Sequence, residues 1–360
     1  MSGDVRDGVT GSRGELAAAT QRPTDRWVKS YTYLRTAMVG LLVGLGVAVF
    51  YQTGRQGFHI LASVSAYYYT PAQAIFVGAL IGLGACMIAL KGTNGVEEVF
   101  LNLGGMFAAV VAIVPTSRGE DYRTAVRACK QGAGPLLTEK ASTDLDCPTV
   151  LALADATRAN VENNMVALLV VGLLGLVAAL LFALRDRRGL LWDRRGLGAG
   201  FWWGFGAAFV VWLSGAIAFL ASTERFIDNA HYIAAFGLLA CIVVVAIANA
   251  LRHEETQPSG ASAREQTLNG LKAAGGALIR TPNRLNSYAW LAWAMVVVAV
   301  VGVVLVIVNA FALFWLEIAV ALLFAVFWMV QTIDLLPRDE SQPAAREREP
   351  GQPVGPLPTD

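Results

Sequence analysis

Between residues 185 and 195 the chain carries five arginines, Arg185, Arg187, Arg188, Arg194 and Arg195, and an apolar run presses against this segment from each side, residues 165–184 before it and 199–221 after it. At about 1.5 Å of rise per helical residue, each run is long enough to cross a hydrocarbon core of roughly 30 Å. Short connectors that stay in the cytoplasm keep their Lys and Arg, whereas translocated ones shed them, so the arginine segment is an inside loop. Counting outward from it fixes the direction of every other run. Further apolar runs lie near 33–51, 73–90, 99–115, 229–251, 289–309 and 312–335. The expected fold is therefore all-α, an integral membrane bundle of eight transmembrane helices with N-terminus and C-terminus cytoplasmic.

The basic residues agree with this alternation. Inner segments hold 20 Lys and Arg, and the two short outer loops hold only Arg55 and Arg225. Residues 116–162 form one long outer loop with six basic and seven acidic residues, and long loops translocate largely regardless of charge. Residues 1–30 lack apolar periodicity and are expected to be a disordered cytoplasmic arm, without a cleavable signal. Residues 337–360 hold six of the 13 prolines and are expected to be a disordered cytoplasmic tail. The membrane domain is then 31–336.

Composition excludes the soluble alternatives. The chain is 55% hydrophobic and 15% charged, against about 25% charged in an ordinary soluble domain. A net charge of +1, with no basic face, leaves nucleic acid without a binding surface. Arginine outnumbers lysine 23 to 5, which fits the codon bias of a GC-rich bacterial genome, and the expected location is the plasma (inner) membrane.

Local expectations follow from position. Arg35, at the inner end of the first span, can snorkel to the interface. In the outer segment 52–72, Phe58, Ile60, Leu61 and Val64 can lay an amphipathic turn on the membrane surface. Asn94 and Glu97 have the spacing of a capping box opening the third span, and Asn102 is placed to bond across helices. The pairs Gly40/Gly44, Gly78/Gly82 and Gly200/Gly204 have the spacing that lets helices approach closely. The inner loop 252–288 holds a possible surface helix around Leu268, Leu271 and Leu278.

Chemistry-bearing residues gather at the outer ends of the spans. Cys129 and Cys147, with 17 residues between them, are expected to form a disulfide in an oxidising exterior. Cys86 and Cys241 read as apolar fillers. Asp228 and His231, three apart at the start of the sixth span, share a helix face. Glu317 sits roughly 7 Å below the outer end of the last span, where an ionisable group marks a site by default. With His59, Ser63, Ser65 and the run Tyr67, Tyr68, Tyr69, these groups can line one outward pocket for a lipid headgroup or small polar ligand. Structural roles compete at each position. Asp228 suits a helix N-cap, His231 an interface hydrogen bond, Glu317 a pair with Arg225 or His231, and the tyrosines a headgroup-level anchor.

The stretch from Ser63 to Thr70, with Phe76 to Gly78, Val114 to Thr116, His231 to Ala235, Phe314 to Glu317 and Phe327-Trp328, resembles a group of uncharacterised bacterial polytopic membrane proteins. That resemblance implies an arginine after the tyrosines and a lysine after the final tryptophan, where this chain has Gln73 and Gln331. A more distant similarity is to the membrane hydrolase superfamily of alkaline ceramidases and progestin/adiponectin receptors, which implies a zinc site. Here its ligands would be His59, His231 and Asp228 or Glu317, with Ser63 or Ser65 assisting. The leading reading is a non-enzymatic binding protein with membrane lipids as partners and no cofactor. A zinc-assisted lipid hydrolase is the alternative, and a transporter is the third. The topology itself is testable with single cysteines at Thr138 and Ser259: in intact cells a membrane-impermeant thiol reagent should mark Thr138→Cys and leave Ser259→Cys unmarked.

Overall fold

The computed structural model describes residues 7–92, 95–116, 118, 120–132, 146–185, 199–252, 287–308 and 312–335. Among these residues there are nine α-helices, one 3₁₀ turn at Ser65–Tyr69, and no strand. The helices are α1 (Asp7–Arg55), α2 (Gln73–Ala89), α3 (Gly95–Ile113), α4 (Glu120–Lys130), α5 (Cys147–Arg185), α6 (Ala199–Ala221), α7 (Thr223–Arg252), α8 (Ser287–Val308) and α9 (Ala312–Leu335). Six contain stretches long and apolar enough to cross a membrane, and α2 and the described part of α8 are shorter apolar helices. In hydrocarbon every backbone N–H and C=O must be paired within the protein, which is why such runs are helical throughout. Large apolar side chains such as Val171, Leu174, Trp203, Val210 and Leu220 face outward on α5 and α6, a surface suited to lipid rather than water.

The centre of the bundle is α3, packed between α2 and α7, with α6 and α5 on its flank. Its buried face is made of Gly104, Gly105, Ala108 and Ala112, small residues that let neighbouring backbones come close. A Cβ on Gly84 of α2 would sit 2.6 Å from the Gly105 carbonyl oxygen, and one on Gly105 would sit 2.6 Å from the Gly84 carbonyl oxygen. Helix α1 packs on α2 and α9, and α9 on α8, which closes the other side through Met38, Phe324, Phe327 and Trp328.

Several local expectations are corrected. The close approach is at Gly84 and Gly105, while Gly40, Gly44, Gly78 and Gly200 have nothing within 4 Å of a would-be Cβ; Gly82 and Gly204 face only the side chains of Leu41 and Val99. Helix α1 starts at Asp7, running back through most of the expected irregular arm. The 116–162 loop contains α4 and the first turns of α5. At 39 residues and about 58 Å, α5 is far longer than a bilayer crossing needs. Helix α7 begins at Thr223, so Asp228 lies inside it and does not cap it. Arg35 is buried, its guanidinium 5.5 Å from the Trp328 ring centroid, instead of snorkelling outward. The inner loop 253–286, the tail and most of the arginine segment lie outside the described residues.

Gly105→Ala should force α2 and α3 apart and cost about 1–3 kcal/mol, the usual penalty of overpacking. Thermal melts in detergent should show a drop in Tm for Gly105→Ala and none for Gly44→Ala.

Candidate functional site

After α1 the chain reverses through Gly57 and Phe58, at φ of 67° and 62°, with the Phe58 N–H donating to the Thr53 carbonyl at 2.9 Å. A left-handed conformation is costly for phenylalanine, and here it ends the helix cleanly. The segment then folds inward. Val64 belongs to the core and does not rest on the membrane surface. Ser63 Oγ accepts from the Ala66 N–H at 3.0 Å, starting the 3₁₀ turn. The turn's remaining first donors are met from across the bundle: the Val64 N–H donates to Glu317 Oε2 at 2.5 Å, and Ser65 Oγ donates to Glu317 Oε1 at 3.1 Å. Glu317 thus serves as the cap of a 3₁₀ turn and not as the partner of a charge at Arg225 or His231. Hydrogen bonds of this kind contribute about 0.5–1.5 kcal/mol each on balance, and two from one side chain tie the turn to α9.

The three tyrosines point different ways from that turn. Tyr67 is fully buried, packs against Phe314 at 6.3 Å between centroids, and bonds Thr53. Thr53 Oγ1 spends its proton on the Val49 carbonyl at 2.8 Å, so the Tyr67 hydroxyl is the donor. Tyr68 is also buried, edge-on to Phe76. These two rings are therefore core residues, not headgroup-level anchors. Tyr69 alone reaches the rim, its hydroxyl donating to the Thr116 carbonyl at 2.8 Å.

The same rim closes the C-terminal end of α3. Pro115 cannot continue a helix, and the orphan Val114 carbonyl accepts from His231 Nδ1 at 2.6 Å. Tyr232 joins its hydroxyl to Thr116 Oγ1 at 3.0 Å. Outside this, the exposed Arg118 lays its guanidinium 3.8 Å from the Tyr69 ring centroid and 5.6 Å from that of Tyr122. Burial raises the Tyr69 phenol above its ordinary pKa while the Arg118 charge pulls it down, and burial wins, so the hydroxyl stays a donor.

Helices α4 and α5 form a hairpin beside the rim. Cys129 and Cys147 are joined by a disulfide, and Ala125, Cys129 and Val150 make a small core of their own. Asp146 caps α5 by accepting from the Thr149 N–H at 3.2 Å, and hydrogen bonds from the Thr149 side chain and then its N–H hold the carboxyl below the usual range. Lys130 and Arg158 both approach Glu224 at the start of α7, at 3.6 and 3.4 Å, but exposed pairs of this kind contribute little.

A second polar cluster lies at the opposite end of the bundle. Glu97 on α3 is 1% exposed and accepts from Asn249 Nδ2 on α7 at 3.0 Å and from Gln331 Nε2 on α9 at 3.4 Å. Gln331 Nε2 also donates to Asn249 Oδ1 at 3.0 Å. Glu97 faces the interior, Asn94 of the expected capping box lies outside the described residues, and the cross-helix amide is Asn249, Asn102 being only partly buried. Sequence reading missed this group because each member sits near a helix end, where polar residues are commonplace. The signal that was present is that Asn249 and Gln331 interrupt otherwise apolar faces.

The proposed outward residues thus divide. Tyr67, His231 and Glu317 are spent on structural bonds, Tyr68 is packed in the core, and Asp228 and His59 are exposed. Among the described residues, no three His, Cys, Asp or Glu side chains are grouped to hold a metal ion, so His59, His231 and Asp228 do not form the zinc set. Comparison with protein-family models, with curated proteins and with solved structures finds no match to this chain.

Proposed function

We propose that the chain is an eight-span protein of a bacterial plasma membrane, both termini cytoplasmic, whose outer rim binds the anionic headgroup of a membrane lipid at Arg118 and Tyr69. The eight-span count is supported by α2, 17 residues long, and α8, 22 residues long as a whole, two apolar helices that add to the six longer spans. The orientation is supported by two independent features. The basic connectors favour the cytoplasm, and the Cys129–Cys147 disulfide favours an oxidising exterior for the other end of α5.

The observation that carries the headgroup reading is the exposed guanidinium of Arg118 stacked on Tyr69 at the level where α3 ends. Stacking orients the cation, and its exposed planar fork matches phosphate oxygens. Of the residues expected to line an outward pocket, Tyr69 is the one that reaches this rim. Glu317 and His231 act behind it by fixing the Tyr69 turn and the end of α3. The role is binding rather than catalysis, and membrane lipids are the partners.

In detergent, short-chain phosphatidylglycerol should raise the Tm of the purified protein by about 3–5 °C over the same amount of phosphatidylcholine, since a ligand that binds only the folded state stabilises it by mass action. Arg118→Gln should lose at least half of that difference. Equal effects of the two lipids on the wild type, or a full response in Arg118→Gln, would remove the proposal.

A further inference from the structure

Helix α1 packs on α2 and α9, and another of its sides carries a groove of about 690 Å³, within the size range of ligand sites. Val43, Val47, Phe50 and Tyr51 wall it, each more than half exposed. Gly46 and Gly54 leave gaps between those walls, and a Cβ on either would meet nothing within 4 Å. This face belongs to an apolar stretch long enough to cross a membrane, so its surroundings are hydrocarbon. At one end the lining changes character. Arg55 and Phe58 close the groove there, and Arg55 is exposed and in no ion pair among the described residues. Phe58 holds the costly left-handed conformation, with φ of 62°, yet stays 71% exposed, so the strained residue is not kept to fill the protein's own core.

We propose that this groove holds one acyl chain of an anionic phospholipid, the chain lying against α1 from Tyr51 to Val43 and the phosphate resting on Arg55. The dimensions agree. Arg55 is 12 positions after Val43, about 18 Å of helix, and one leaflet of the hydrocarbon core is about 15 Å thick. A cation at the head of a leaflet-long apolar trough matches a phospholipid in both charge and length. A second copy of the chain matches neither. Copies in one membrane share their direction, so a two-fold pair through this face would bring the two Arg55 guanidinia together. Phe50 and Tyr51 also hold another backbone away from the glycines, where a thin flexible chain still enters. The site goes beyond the headgroup reading at Arg118, because its cation is on α1 and it grips the tail. It requires that α1 spans the membrane, whichever end faces outward.

Photolabelling of the full-length protein in phosphatidylcholine vesicles tests it. A trace of phosphatidylglycerol with a diazirine at the end of one acyl chain should label residues 43–47 about fivefold more than the matching phosphatidylcholine probe does, each yield taken relative to the exposed face of α6. One basic side chain near the surface is worth about that factor toward an anionic lipid. Arg55→Gln should bring the two probes level, and Gly54→Leu, which fills the trough where a Cβ meets no neighbour, should remove the excess. Arg118→Gln should leave the excess intact. Its loss in that variant would assign the chain to the lipid at the rim and overturn the proposal. Equal labelling by the two probes in the wild type, or an Arg55→Gln protein that keeps the preference, would mean that α1 meets only bulk lipid. Disulfide dimerisation of Val47→Cys well beyond that of the wild type would give this face to a second copy and overturn it too.

Discussion

The structure depends on how a non-helical stretch of backbone is satisfied inside a helical bundle. Between α1 and α2 the chain does not cross over on the surface but turns inward, and the first amides of the tyrosine turn have no helix to bond them. Glu317, on a helix some 250 residues away in sequence, supplies the missing acceptors through Val64 and Ser65. One carboxylate therefore ties the α1–α2 connection to α9. From that tie follow the burial of Tyr67 and Tyr68, the reach of Tyr69 to Thr116, and the platform on which Arg118 stacks.

Polar ties at both ends of the bundle fix the relative direction of the helices. The C-terminal end of α1, the C-terminal end of α3 and the N-terminal ends of α7 and α9 meet around the tyrosine turn, through Thr53, Val114, His231 and Glu317. The start of α3 and the ends of α7 and α9 meet at Glu97, Asn249 and Gln331. Between these two levels the contacts are apolar, and at Gly84 and Gly105 the backbones touch. Dispersion and small-residue packing hold the middle, and directional bonds set the register.

Much of the helical layout was legible because an apolar run of bilayer length has few other uses. Residues 199–221 coincide with α6, and 73–90 with α2 to within a residue. The site was less legible, for a definite reason. Periodicity says that Glu317 sits near the outer end of its span, but which groups it meets depends on the fold of the 56–72 segment, and nothing local to α9 encodes that. In sequence His231 suits a ligand or an interface donor equally, and the two differ only in whether an orphan carbonyl lies beside it. Arg35 and Glu97 look like ordinary end-of-helix charges in sequence, yet both are buried by neighbours far away along the chain. Spacing of glycines misled for the same reason: a small residue allows a close approach, but the partner helix decides whether one occurs.

Amide hydrogen exchange over residues 63–70, compared between the wild type and Glu317→Leu, tests the central claim most directly. Loss of this acceptor should speed exchange across the segment by about tenfold or more, with the amides of 104–112 in α3 unchanged. Equal protection of 63–70 in the two proteins would mean that the turn holds itself, and that the carboxylate is not what organises this end of the bundle.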